Sequence, residues 1–244
     1  MKEKNHLLEI KNIKKNYGGK IVLNNLSFHI NKGEIVGLLG PNGAGKTTAF
    51  YITIGLIEKD EGKVFFEGED ISFFPIHQRA KMGMGYLAQE PSIFRSLTVE
   101  ENLLAILETL EIKKEEKKKR LSSLLEELNL THLRKKFAYT LSGGERRRLE
   151  ITRSLIGSPS LLLLDEPFAN IDPLAVQDMK NLMRLLKQKG ISILLTDHNA
   201  REIFSIVDRS YLIQEGKVIV SGTVDEMVSN EKAKEYYLGK NFTL

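Results

Sequence analysis

Residues 40–47 read Gly40-Pro41-Asn42-Gly43-Ala44-Gly45-Lys46-Thr47, which fits the pattern G-x-x-x-x-G-K-[ST]. The apolar run at residues 34–39 reads as a strand, and a helical pattern opens at Lys46. Glycine at 40, 43 and 45 lets the backbone curl its N–H groups into a nest for phosphate. The N-terminus of the following helix adds the positive end of its dipole. In this setting Lys46 reaches the β- and γ-phosphates, the Thr47 hydroxyl coordinates Mg²⁺, and Thr48 adds a hydrogen bond to phosphate. A phosphate loop alone does not say what its energy drives.

Working outward, Leu161-Leu162-Leu163-Leu164-Asp165-Glu166-Pro167 reads as a buried strand ending in two acids. Parallel α/β sheets bind ligands at the carboxyl ends of their strands. Asp165 is therefore placed to hold Mg²⁺, and Glu166 to accept a proton from an attacking water. Pro173 follows Asp172 as an N1 and N-cap pair opening a helix to about residue 189, and residues 191–195 form a second buried strand. Short apolar runs alternating with helices predict a parallel sheet covered on both faces.

The flanks differ from this core. Residues 21–23 and 26–30 are β-prone, with Asn24-Asn25 and Asn31-Lys32-Gly33 as turn material. Val64-Phe65-Phe66 reads as a strand before a turn at residues 67–70. Between about residues 90 and 160 the chain is mainly helical, with Leu121, Leu124, Leu125 and Leu128 on one face. The charged run Lys113-Lys114-Glu115-Glu116-Lys117-Lys118-Lys119-Arg120 reads as a solvated helix start. The expectation is one domain over residues 1–244, with a β-rich N-terminal part, a helical insertion at about 90–160 and a tail at about 231–244.

Composition bounds the class. A chain of 244 residues, 41% hydrophobic and 28% charged with 19 Gly and 6 Pro, is neither collagen-like nor low-complexity. It has no cysteine, which excludes disulfides and thiolate metal sites. The 36 basic and 32 acidic side chains leave +4, which does not demand a polyanionic partner. The start shows no secretory pattern, and no apolar run approaches the roughly 18 residues of a membrane span.

A third motif makes the reading specific. Leu141-Ser142-Gly143-Gly144-Glu145 precedes a basic helical run from Arg146. With the two motifs above it resembles the signature of the ATP-binding cassette family, and the resemblance covers essentially the whole chain. It implies a P-loop NTPase fold, with a RecA-like parallel-sheet core, an N-terminal antiparallel β subdomain and a helical subdomain. By the same resemblance Gln89 matches the family's Q-loop residue, a ligand of Mg²⁺, His198 its switch histidine and Asp172 its D-loop. Tyr17 resembles the aromatic that stacks on adenine, and Ser142, Gly143 and Gly144 contact the γ-phosphate held by a second cassette. His6, His29, His77 and His132 receive no role.

With one phosphate loop and one signature, the chain holds two half-sites, and a twofold head-to-tail homodimer completes both. ATP and Mg²⁺ are the implied ligands. Soluble cassette ATPases of translation usually carry two cassettes, and chromosome-structure proteins need a long coiled coil that this chain lacks. Among transporter ATPases the stretches 40–51, 92–99, 141–148, 165–169, 196–199 and 237–244 resemble those of Gram-negative lipopolysaccharide exporters. The alternative is the ATPase subunit of branched-chain amino-acid importers. The resemblance implies two transmembrane partner subunits, no nucleic acid, and a place on the cytoplasmic face of the inner membrane. Phe94 and Arg95 are the expected contacts with a partner helix in a groove beside Gln89. Ala88 and Asn170 depart from the family's usual Pro and Gly.

Overall fold

The computed structural model describes residues 6–169, 171–240 and 242–243. Asn170, Asn241 and Leu244, which the sequence reading includes, lie outside the described residues.

Two sheets organise the chain. The first is antiparallel, in the order β2-β1-β4-β5, from β1 (Leu8–Tyr17), β2 (Lys20–Ile30), β4 (Glu61–Phe66) and β5 (Glu69–Asp70). The Asn24-Asn25 turn expected from sequence is absent. Strand β2 runs straight through it, with Asn25 at φ +63° and the register against β1 shifting nearby. Asparagine tolerates the left-handed region, so the signal that usually makes a turn here makes a bulge. Downstream, the turn expected over residues 67–70 shrinks to Glu67-Gly68, and the next two residues pair back as β5.

The second sheet has six strands in the order β10-β9-β3-β8-β7-β6. Its members are β3 (Ile35–Leu39), β6 (Met84–Leu87), β7 (Leu161–Asp165), β8 (Ser192–Thr196), β9 (Arg209–Gln214) and β10 (Lys217–Gly222). All neighbours pair in parallel except β10, which returns antiparallel on β9. Strands β3, β7 and β8 are buried at every residue, which is why they read as unbroken apolar runs. Alternate side chains go to opposite faces. Leu161 and Leu163 join the core shared with the antiparallel sheet and α1 (Lys46–Ile54), while Leu162 and Leu164 join the core under the other helices.

Between β6 and β7 lie α2's successors: α3 (Val99–Leu107), α4 (Lys114–Glu127) and α5 (Gly143–Ser154), α2 itself (Ile76–Lys81) preceding β6. Leu121, Leu124, Leu125 and Leu128 are buried, and the charged run forms the N-cap and start of α4, exposed except for the half-buried Lys117 and Arg120. Helix α6 (Pro173–Gln188) begins behind Asp172, whose Oδ1 accepts the Ala175 N–H at 2.9 Å. Short α7 (Ala200–Phe204) follows His198, and α8 (Val224–Ser229) leads to the tail. The tail folds back on its own chain: Tyr237 Oη lies 3.5 Å from the Asp197 and His198 carbonyls, and Phe242 meets Phe204 edge to face.

Candidate active site

Strand β3 delivers the chain to the middle of the parallel sheet, and residues 40–45 turn there into α1. Two glycines make the turn possible. A Cβ on Gly40, at φ +149°, would stand 2.3 Å from the Ile213 carbonyl oxygen. One on Gly45, at φ +104°, would stand 2.6 Å from Leu23 Cδ2. Gly45 is also the N-cap of α1 and has no side chain to occupy the first-turn N–H groups, which face the loop. Lys46 is 8% exposed, and its Nζ donates to the carbonyls of Gly40 (2.7 Å) and Pro41 (3.0 Å). Burial lowers its pKa, while Glu166 and Asp165 act in the opposite direction. Asn42, Gly43, Gly45, Lys46, Thr47 and Thr48 line a cavity of about 350 Å³ together with Val22, Glu166, Thr196 and His198.

Strand β8 separates β3 from β7, so the ends of β7 and β8 stand beside the loop. Asp165, 3% exposed, accepts from Thr196 Oγ1 at 2.7 Å. Burial raises its pKa, and the Thr196 hydrogen bond with the charges of Arg147, Lys46 and His198 opposes that. At Glu166 the backbone enters the left-handed region, φ +48°, which swings the side chain out of the strand's alternation. Its carboxylate lies between two groups. Gln89 Nε2 donates to Oε2 at 2.7 Å, and His198 Nε2 lies 2.5 Å from Oε1. Glu166, Gln89 and His198 thus converge from the ends of β7, β6 and β8. The arrangement offers a proton acceptor, an orienting amide and a titratable ring beside a phosphate-sized nest.

Three residues that sequence reasoning missed hold this centre. Arg147 is buried and donates to the carbonyls of Ala88 (2.8 Å), Asp165 (3.0 Å) and Glu166 (3.3 Å). Thr196 supports Asp165, and Asp197 accepts the N–H of Phe168 and of Asn199, shaping the loop that carries His198. Arg147 stands within the visible basic run 146–148, but periodicity could not tell the buried arginine from its half-buried neighbours.

The other expected residues sit apart. Ser142 caps α5 by accepting the Glu145 N–H, and Glu145 Oε2 accepts the Ser142 N–H at 2.8 Å, so Glu145 works as a capping residue. Ser142 and Gly144, with Gly143 beside them in the first turn, open on a second cavity of about 270 Å³ shared with Asp172 and His132. One chain therefore presents a phosphate loop at one place and a signature at another. Tyr17 ends β1, 45% exposed, and is not among the residues lining the phosphate-loop cavity. Phe94 is 45% exposed in the loop before α3, with Arg95 exposed beside it. Among the described residues no helix is long and apolar enough to cross a membrane, and no group of three or more His, Asp or Glu side chains forms a metal cluster.

This fold and loop define a nucleotide-binding cassette ATPase. The family model for ABC transporters matches residues 23–169, and the chain belongs to that family. The lipopolysaccharide export system ATP-binding protein LptB of Haemophilus influenzae is 46% identical over 239 residues, covering 98% of this chain and 99% of that one. LptB of Escherichia coli K12 is 46% identical over 238 residues, covering 97% and 99%. Among solved structures, the ADP conformation of MJ1267, an ATP-binding cassette of an ABC transporter, superposes with a TM-score of 0.87 at 30% identity, over 96% of this chain and 99% of that one.

Proposed function

We propose that this chain is the ATP-hydrolysing subunit of a lipopolysaccharide exporter. It works as a head-to-tail homodimer under two transmembrane subunits, on the cytoplasmic face of the inner membrane, without nucleic acid. The near full-length identity to LptB supports this cargo over the amino-acid importer, which is not favoured. In this reading residues 1–244 act as one cassette, whose helical insertion at about 90–160 carries the signature and whose tail from about 231 braces the His198 loop.

One observation carries the hydrolytic part: the Glu166 carboxylate stands between Gln89 and His198, beside the loop that holds Lys46. Residues 40–48 bind the phosphates through backbone N–H groups, Lys46 and the two threonine hydroxyls. Tyr17 stacks on adenine. Asp165, Thr47 and Gln89 fit Mg²⁺, since a buried carboxylate at a strand end, a hydroxyl and an amide oxygen are hard donors of the kind that ion takes. When bound, Mg²⁺ supplies neutralisation of charge on the β- and γ-phosphates. Glu166 accepts the proton of the attacking water, His198 holds Glu166 and the γ-phosphate region in register, and Gln89 orients the water. Ser142, Gly143 and Gly144 of a second copy close the site over the γ-phosphate, so nucleotide sets the dimer population.

Replacing Glu166 tests this. The Glu166→Gln variant keeps ATP binding, loses on the order of a hundredfold or more in turnover, and accumulates as a dimer with ATP in size-exclusion chromatography. Near-normal hydrolysis by that variant contradicts the assignment.

A further inference from the structure

Helix α5 grips the loop between β6 and α3 with three long side chains spaced three residues apart. Arg147 donates to the Ala88 carbonyl at 2.8 Å. Glu150 Oε1 accepts the Ser92 N–H at 3.0 Å. Arg153 Nη1 donates to the Ser92 carbonyl at 2.6 Å, and its guanidinium lies 4.7 Å from the centre of the Phe94 ring. Both backbone groups of Ser92 are thus held by one helix. Glu150 is 3% exposed, and its second oxygen accepts from Arg147 at 3.0 Å, so the clamp is one connected network.

The far end of the loop is held by α3, where the Asn102 side chain accepts the Phe94 N–H at 2.8 Å and donates to the Phe94 carbonyl at 3.0 Å, but the stretch before it has little else to fix it. Among the described residues, 89–93 make no backbone–backbone hydrogen bond. Ile93 is its one buried apolar anchor. At one end the loop carries Gln89, which donates to Glu166; at the other it carries Phe94. The helix that grips it begins at the signature residues Gly143 and Gly144.

We propose that Glu150 and Arg153 are positioning residues that fasten the Gln89 loop to the signature helix, so that Gln89, Phe94 and the signature shift as one body. They touch neither nucleotide nor the reacting atoms. They act by holding Gln89 against Glu166, and through Phe94 they connect that contact to the partner groove. This inference rests on the hydrolytic reading of Glu166 and Gln89. A loosened loop slows the chemical step and leaves nucleotide affinity, set by the phosphate loop, in place.

The test is steady-state ATP hydrolysis by the full chain in a set of variants. Arg153→Met and Glu150→Gln each lower kcat about tenfold, with KM for ATP within about twofold of wild type. Arg153→Lys, which retains a donor for Ser92, recovers most of the loss. In a Gln89→Ala background the same substitutions lower kcat by less than about twofold more, because the group they position is gone. Losses that multiply in the Gln89→Ala background, an unchanged kcat, or a KM rising in step with the fall in kcat would overturn the clamp. Glu150→Gln strands a buried arginine; if it does not fold, the half-buried Arg153 series decides alone. Wild-type turnover by Gln89→Ala overturns the hydrolytic role of Gln89 and the clamp with it. Normal loss there, with multiplying effects of Arg153→Met, overturns the clamp and leaves the catalytic reading standing.

Discussion

At Glu166 and Glu34 the same side chain serves two ends, and the surroundings decide which. Glu166 is turned by a left-handed backbone toward Gln89 and His198, where a carboxylate can work on water. Glu34, just before β3, is tied into the fold instead. Its two oxygens accept from Arg209 Nε and Nη2 at 3.1 and 3.0 Å, and Asn31 donates to it as well. Burial pushes the Glu34 carboxyl up, but the hydrogen bonds from Arg209 and Asn31 outweigh it and bring the pKa down to about 2. A carboxylate depressed in the folded state stabilises above its unfolded pKa, and that contribution fades as pH falls from 4.5 towards 2. Glu34→Gln therefore costs on the order of 1–3 kcal/mol at pH 7, and the gap to wild type narrows by pH 3 in urea unfolding. An equal gap at both pH values contradicts the ion-pair account. Glu166 was legible in sequence because it stands next to Asp165 behind four leucines. Glu34 was not, because its partner lies 175 residues away.

Among the elements, those with local signals were the readable ones. Helix α6 announced itself by Asp172 and Pro173, α4 by its leucine period, and β3, β7 and β8 by unbroken apolar runs. Strands β9 and β10 went unread, since they are an edge hairpin whose place beside β3 is set by parallel pairing. The order that puts β8 between the phosphate loop and Asp165 is likewise a tertiary fact, and so is the inward turn of Arg147. Strand β7, which ends at Asp165, has leucines packed into a core on each face. Leu163 is fully buried. Leu163→Ala costs about 2–5 kcal/mol in denaturant unfolding, with no change in the nucleotide-contacting groups. A cost below about 1 kcal/mol would mean that the strand is not closely packed.

For the whole molecule, the proposed function turns on the separation of the phosphate loop from the signature. The phosphate loop and the signature of one chain line different cavities, as the proposed head-to-tail homodimer requires. Both motifs were legible in the sequence, and the resemblance implied that they serve different sites; the structure shows them lining separate cavities. Phe94, half-exposed against Arg153, is the proposed meeting point with the membrane subunits. Phe94→Ala lowers the amount of chain recovered with its membrane complex by about tenfold, the loss of one interface anchor of roughly 1.4 kcal/mol. Equal recovery contradicts the groove. The most direct test of the account is to tag the chain in its own cell, extract the membranes in mild detergent, and identify what stays bound by mass spectrometry. The account predicts two copies of the chain with two transmembrane exporter subunits and co-purifying lipopolysaccharide. Amino-acid permease subunits in their place, or no integral membrane protein at all, would contradict it.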